Sequence, residues 1–138
     1  MDARTVKNLE NVDKRLDAII RQEWPQIVAI GEKFGCIIKI ICGYRSQAEQ
    51  DRLYRIGRRG IAGERKVTWT KSSKHTRSPS QAIDFGIFKN GEYVDDVDPR
   101  TARKIYVMIS AHMSKHKIIK WGGEFGDDPH FEIRTVTP

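Results

Sequence analysis

Cysteine is scarce in this chain: 138 residues hold only Cys36 and Cys42, with no C-x-x-C pair. A cysteine-rich zinc site is thereby excluded. The two cysteines bracket "IIKII", which reads as one strand, and a strand of that length holds their sulfurs ~20 Å apart, too far for a disulfide. Both are expected to act as small buried apolar groups, which suits a reducing compartment. Long apolar runs are also missing. The longest, such as "CIIKIIC", fall far short of the ~20 residues that cross a bilayer. The opening "MDARTVKNLENVDKR" carries charge where a signal peptide needs an apolar segment, so export by that route is not expected and the chain should begin its life in the cytoplasm. No internal repeat or low-complexity tract is present, and the length predicts one domain spanning residues 1–138.

An acidic surplus is lacking as well. Twenty-five Lys and Arg against eighteen Asp and Glu give a net charge of +7. That balance favours polyanionic surroundings such as nucleic acid, anionic lipid or the polymers of a bacterial envelope, without choosing among them. The densest basic stretch, "RLYRIGRRGIAGERK", reads first as a solvated helix end and loop.

What is present is a clear α+β pattern. Val12, Leu16, Ile19 and Ile20 follow helical spacing, and Ile27, Ile30 and Phe34 continue it beyond Pro25. Pro25 predicts either two short helices or one kinked helix. "CIIKIICGY" is rich in β-branched residues and predicts a strand. Ser46 and Glu49 form a capping box for "QAEQDRLYRIG", with Gly57 and Gly60 closing it. "KVTWT" is a candidate short strand. In "AIDFGIF", Ile83, Phe85 and Ile87 alternate with Asp84, Gly86 and Phe88, as a half-buried strand requires. Asn90-Gly91 predicts a hairpin into "YVDDV". Asp98-Pro99 starts a helix through "RTARKIYVMISAHMSKH", and "KIIKW" and "HFEIR" close the chain as strands. The expected architecture is a small, mostly antiparallel sheet flanked by two or three helices.

Four histidines invite chemistry. His112 and His116 have the i,i+4 spacing of zinc-protease helices, but Met113 stands where the general-base glutamate would be. They are read as an exposed helix end, where cationic rings suit the dipole. His75, Asp84 and His130 are stronger. Asp84 interrupts an apolar strand, where a carboxylate is costly unless paired or metal-bound. His130 opens another strand, three residues after Asp127, which is placed to serve as a base toward a metal-activated water. From spacing alone, turn capping at Asp84 and a solvated edge at His130 and Glu132 remain the alternative.

Three segments in order carry a resemblance. "CGYRSQAEQDRLYRIGR", "SKHTRSPSQAID" and "WGGEFGDDPHFEI" resemble the Gly-Tyr-Arg-Ser segment, the Ser-x-His-x-x-Gly-x-Ala-x-Asp zinc motif and the Trp-Gly-Gly…Asp-x-x-His close of the D-alanyl-D-alanine carboxypeptidase and L-alanyl-D-glutamate endopeptidase family of zinc peptidases, which includes phage endolysins. The resemblance covers nearly the whole chain and implies a single zinc peptidase domain. It implies one Zn2+ held by His75, Asp84 and His130, with Asp127 as general base. Arg45 would stabilise the developing oxyanion, and Ser73 would orient the zinc loop or the substrate. There are departures: Asp84 follows His75 by nine residues, two more than the motif, and Ser80 replaces its glycine. Glu124 stands where an aspartate is common, and Asp128 adjoins Asp127.

The implied substrate is the peptidoglycan stem peptide. The expected activity is an endolysin cutting between L-alanine and D-glutamate, working as a monomer at an anionic cell envelope after a separate membrane-permeabilising protein releases it. The alternatives are a D-alanyl-D-alanine carboxypeptidase and a non-catalytic basic module for wall polymer or nucleic acid. No aromatic-basic nucleic-acid motif is present, so no specific nucleic-acid partner is expected. A purely structural zinc would need four protein ligands, with His112 or His116 as the fourth.

Overall fold

An apolar face at every second residue of "AIDFGIF" requires two different environments, and the computed structural model, which describes residues 1–68 and 70–135, supplies them. Strand β2 (Ala82–Lys89) buries Ile83, Phe85 and Ile87 completely in the core. Its neighbours are β1 (Ile37–Cys42), β3 (Glu92–Tyr93) and β5 (His130–Ile133), with β4 (Ile119–Trp121) beyond β5. The path is β1-β2-β5-β4, with β3 on β2 off that path, and every pairing is antiparallel. The fold is α+β, as expected.

Three longer helices accompany the sheet: α2 (Lys14–Lys33), α3 (Gln47–Arg55) and α5 (Pro99–Met113). Two short ones, α1 (Ala3–Leu9) and α4 (Val94–Val97), add to the expected two or three. Helix α2 runs through Pro25 without dividing. The lost backbone hydrogen bond costs ~3 kcal/mol, yet Ile19 and Ile20 before the proline and Ile27 and Ile30 after it are all buried in one core. Each such side chain contributes roughly 1.5–3 kcal/mol, so burial on both sides outweighs the break. Leu16, Ile105, Ile109, Met113 and Phe131 complete the centre of that core.

Helix α1 has a use its sequence does not advertise. Strand β1 is a sheet edge, and exposed edge groups seek partners. Buried Thr5 accepts from the Ile40 N–H at 3.1 Å, and Asn8 donates to the Ile40 carbonyl at 2.8 Å. The edge is thus closed by side chains from α1.

The Asn90-Gly91 turn forms, with positive φ at both residues, as the tight hairpin turn demands. The strand after it is shorter than "YVDDV" predicts: only Glu92 and Tyr93 pair, and Val94–Val97 turn into α4. Asp95 explains this, because its carboxylate accepts from the buried Tyr106 hydroxyl of α5 at 2.9 Å. "KVTWT" does not form the expected strand either. Residues 66–68 and 70 are irregular, and Trp69 lies outside the described residues. Helix α5 starts on its Asp98 cap and Pro99 as expected, but ends at Met113, before His116. No helix is long and apolar enough to cross a membrane among the described residues.

Candidate metal centre and groove

Asp84 is the middle of a row that crosses three strands. Its Cα partner is Cys42 on β1, beside a register irregularity between Ile40 and Cys42, and His130 on β5. His75 reaches the same place from a 3₁₀ turn, Lys74–Thr76, which Ser73 caps by accepting the His75 N–H at 3.2 Å. The turn is tied to the segment after β1, since the Arg45 N–H donates to the His75 carbonyl at 2.8 Å. Gly43 lies between: a Cβ there would stand 2.0 Å from the Asn8 carbonyl oxygen, so only glycine lets the chain pass.

The carboxylate sits between two imidazoles. Asp84 Oδ2 is 3.3 Å from His75 Nε2, and Oδ1 is 3.2 Å from His130 Nδ1. The rings meet edge-on with centroids 5.1 Å apart. Their other nitrogens are already engaged, His75 Nδ1 with the Gly43 carbonyl at 2.7 Å and His130 Nε2 with Glu132 Oε1 at 2.8 Å. A carbonyl can only accept, so Nδ1 of His75 carries hydrogen. Glu132 places a hydrogen on Nε2 of His130 in the same way. In the neutral rings the lone pairs therefore point inward, toward Asp84, which is how histidines are prepared for a metal. His75 Nε2 is buried and makes no well-aligned hydrogen bond among the described residues; Asp84 Oδ2 at 3.3 Å is its ionic neighbour.

Among the described residues, two overlapping sets could hold a cation, with ligand atoms mutually within 4.8 Å: Cys42, His75 and Asp84, and Asp84, Asp127 and His130. Asp84 is common to both, and neither contains both histidines. The residues fit a borderline cation such as zinc, offering nitrogen and carboxylate donors at a partly open position.

Electrostatics show how strongly the cluster attracts charge. Burial opposes protonation of His75, but Asp84 and the Cys42 sulfur outweigh it and raise its pKa to about 10. Burial likewise opposes protonation of His130, which Asp84 and Glu132 raise to about 9. Burial pushes Asp84 up, and the two rings more than reverse it, holding the carboxyl well below its usual range. Without a cation, protons serve as the counter-charge. Asp127 is different. Its carboxylate is 4.0 Å from His130 Nδ1 and its side chain keeps 54% exposure. Reduced hydration and then the Asp84 charge raise its pKa.

These residues form the floor of a groove of about 590 Å3, walled by Leu53, Val67, Thr68, Thr70 and Phe125. Arg45 enters it, held by Gln50 at 2.8 Å and standing 3.8 Å from Asp84 Oδ2. Ser73 lines it as well. Of the neighbouring carboxylates, Asp128 is turned to Arg103 and Glu124 is exposed, while Asp127 is in the groove. Neither Tyr44 nor Trp121 is among the groove's lining residues. Trp121 stacks on Phe131 and donates to the Asp128 carbonyl at 2.7 Å.

Three groups escaped the sequence reading. Cys36 is buried as expected, but Cys42 is not merely apolar filling: its sulfur lies 3.6 Å from His75 Nδ1 and accepts from Arg45 at 3.4 Å. Only the β1–β2 register places it there. Gln50, fully buried, orients Arg45. Glu132 had a signal, being two residues from His130 on the same strand face. The loop with two extra residues is stitched down rather than loose. The Ser80 hydroxyl donates to the Ala82 carbonyl at 2.8 Å and lies 3.1 Å from the Gly43 carbonyl, and its backbone pairs with Asn11 and Asp13.

His112 and His116 do not form a simple exposed helix end. They converge with Lys115 on Glu23 of α2, His116 Nε2 at 2.9 Å, Lys115 at 3.5 Å and His112 at 3.7 Å. Glu23 lies 93 residues from His116, so helical spacing could not reveal it. This occupation also takes both histidines away from the role of fourth ligand to a structural zinc.

No protein-family model matches the chain, and no curated protein sequence matches it. Among solved structures, the crystal structure of the Serratia marcescens L-Ala D-Glu endopeptidase ChiX is similar, with a TM-score of 0.64 and 22% identity over 97% of this chain and 89% of that one. At that identity the likeness establishes a shared fold.

Proposed function

We propose that the chain is a zinc-dependent peptidoglycan peptidase that cuts the stem peptide, with the L-alanyl-D-glutamate bond as its target. The observation that carries this reading is the preparation of His75 and His130, whose outer nitrogens are engaged by Gly43 and Glu132 and whose inner nitrogens flank Asp84. The motif resemblance and the shared fold with an L-Ala D-Glu endopeptidase support the substrate.

His75, Asp84 and His130 would hold the ion. Zinc bound there supplies a Lewis acid for the scissile carbonyl and lowers the pKa of a water toward neutrality. Asp127, exposed to the groove with a raised pKa, takes the proton of the attacking water and returns it to the leaving amine. Arg45, steadied by Gln50, donates to the carbonyl oxygen as it gains charge. Ser73 fixes the turn that presents His75. Water is the nucleophile, so no covalent link to the protein forms. The setting we propose is that of a phage endolysin, acting as a monomer on the wall after a separate protein has permeabilised the membrane, with its net charge of +7 favouring an anionic envelope.

Mass spectrometry of Gram-negative peptidoglycan after digestion, with and without a chelator, tests the proposal. Release of whole stem peptides beginning at D-glutamate, only without chelator, is the expected result. Loss of terminal D-alanine alone would make the enzyme a carboxypeptidase. Unchanged muropeptides from folded, zinc-loaded protein would leave a binding module.

A further inference from the structure

Most side chains of the proposed site are held directly by a partner; Asp127 is not. Among the described residues its carboxylate makes no hydrogen bond, and its ionic neighbour is His130 Nδ1 at 4.0 Å. Its placement is therefore inherited from the backbone that carries it.

That backbone is the turn between the 3₁₀ segment Gly122–Phe125 and β5. The Asp127 N–H donates to the Gly122 carbonyl at 2.8 Å, and the His130 N–H donates to the Asp127 carbonyl at 3.1 Å. A Cβ on Gly122 would stand 2.3 Å from the Asp127 carbonyl oxygen, so the turn lies directly against that glycine. The next residue, Asp128, is gripped twice. The Trp121 indole N–H donates to its carbonyl at 2.7 Å, and Arg103 donates to its carboxylate. The Arg103 guanidinium also lies 5.0 Å from the centre of the Trp121 ring, so one planar cation meets both the acid and the indole that holds its backbone. Arg103 belongs to α5, whose Ala102 and Tyr106 are buried in the core. Besides the groove, Asp127 lines a second cavity of about 250 Å3, together with Asp128, Arg103 and Tyr106. The turn thus has open space beside it, and Arg103 ties it to a helix fixed in the core.

We infer that Arg103 is a positioning residue: through Asp128 it fixes the turn that holds Asp127 toward Asp84 and His130, and so sets the rate of proton transfer without touching substrate. This rests on the reading of Asp127 as the general base. Arg103 keeps 51% exposure in this pair, and an ion pair at the surface contributes little to stability. Its weight in the reaction is larger, because a displacement of ~1 Å at a catalytic group costs about 10²-fold in rate.

The test is a double-mutant cycle on the zinc-loaded full chain, with kcat and KM measured on a soluble stem peptide. Arg103→Ala should lower kcat roughly 10–100-fold, with KM and zinc stoichiometry unchanged. Asp128→Asn, which keeps the size and removes the charge, should act in the same direction. Arg103→Lys should recover part of the rate, since it keeps the charge and loses the fork. In the Asp127→Asn background, Arg103→Ala should change kcat by no more than about two-fold, because the group it positions is already gone. A full further loss in that background would overturn the inference, as would wild-type kcat in both Arg103→Ala and Asp128→Asn, or a loss of zinc or of the fold in both. If the wild type cleaves no stem peptide, or Asp127→Asn is as fast as the wild type, the proposed function falls and takes this inference with it. A slow Asp127→Asn beside an unimpaired Arg103→Ala and Asp128→Asn overturns this inference alone.

Discussion

The molecule holds two clusters of nearly the same composition. Each places two histidines on one carboxylate: His75 and His130 around Asp84, and His112 and His116 around Glu23. At Asp84 the outer ring nitrogens are occupied by Gly43 and Glu132, and the cluster floors a groove. At Glu23 a lysine joins the rings, the carboxylate is only 4% exposed, and the contact closes the seam between α2 and α5. Burial raises the pKa of Glu23, but His116 and Lys115 more than offset it. One arrangement opens onto a groove with room for a ligand; in the other, Lys115 already stands beside the carboxylate. Counting histidines does not separate them. The partners of the second nitrogen and the access of solvent do.

The sharpest way to break the comparison is to remove each carboxylate. Asp84→Ala is expected to lose stoichiometric zinc, measured by elemental analysis, and to bring cleavage below detection. The double variant His112→Ala/His116→Ala should retain both. Zinc retained in Asp84→Ala would show that the metal reading is wrong. Next in size is Asp127→Asn, expected to lower kcat by roughly 10²–10⁴-fold with zinc content unchanged. Glu132→Ala, which frees the outer nitrogen of His130, should weaken zinc affinity by about 10–100-fold in a competition titration with a chelating dye. Glu23→Gln should leave zinc binding intact and lower stability by about 1–3 kcal/mol, read from denaturant unfolding.

The smallest and most diagnostic effect is on pH. In metal-free protein the pKa of His75 rises from 6.5 to about 10 and that of His130 from 6.5 to about 9. Their stabilisation is therefore complete below pH 6.5 and is lost as pH rises through 9 to 10. Glu132 falls from 4.5 to about 2, so its share is complete above pH 4.5 and is lost on acidification through about 2. The metal-free chain should gain most from this cluster between those limits, and thermal melts across pH should show it. Bound zinc replaces the ring protons and should flatten the alkaline fall.

Much of this was legible because the signals were local. The alternation around Asp84, the Asn90-Gly91 turn, the Ser46 cap and the Asp98-Pro99 start each depend on a few neighbouring residues. The three metal candidates were also visible, since each sits beside a strand or turn signal. What was hidden depends on register or on packing between distant segments. Cys42 reaches the site only through its pairing with Asp84, and Glu23 meets His116 only through helix packing. Helix α1 matters for covering an edge that no local pattern reveals. Pro25 was ambiguous because propensity and burial oppose each other there, and only the packed core decides between them.

The row Cys42–Asp84–His130 has a temporal meaning as well. The growing chain makes β1 before β2, but His130 arrives after α5 and β4, on the strand that docks along β2 on the side away from β1. A partly synthesised or partly unfolded chain can own His75 and Asp84 and still lack the third of the proposed ligands. A slip of one residue in β5 would turn His130 to the opposite face. Under the proposed zinc reading, capture of an ion by all three residues would certify that the sheet has closed in register, and catalysis would be withheld from every earlier form of the protein.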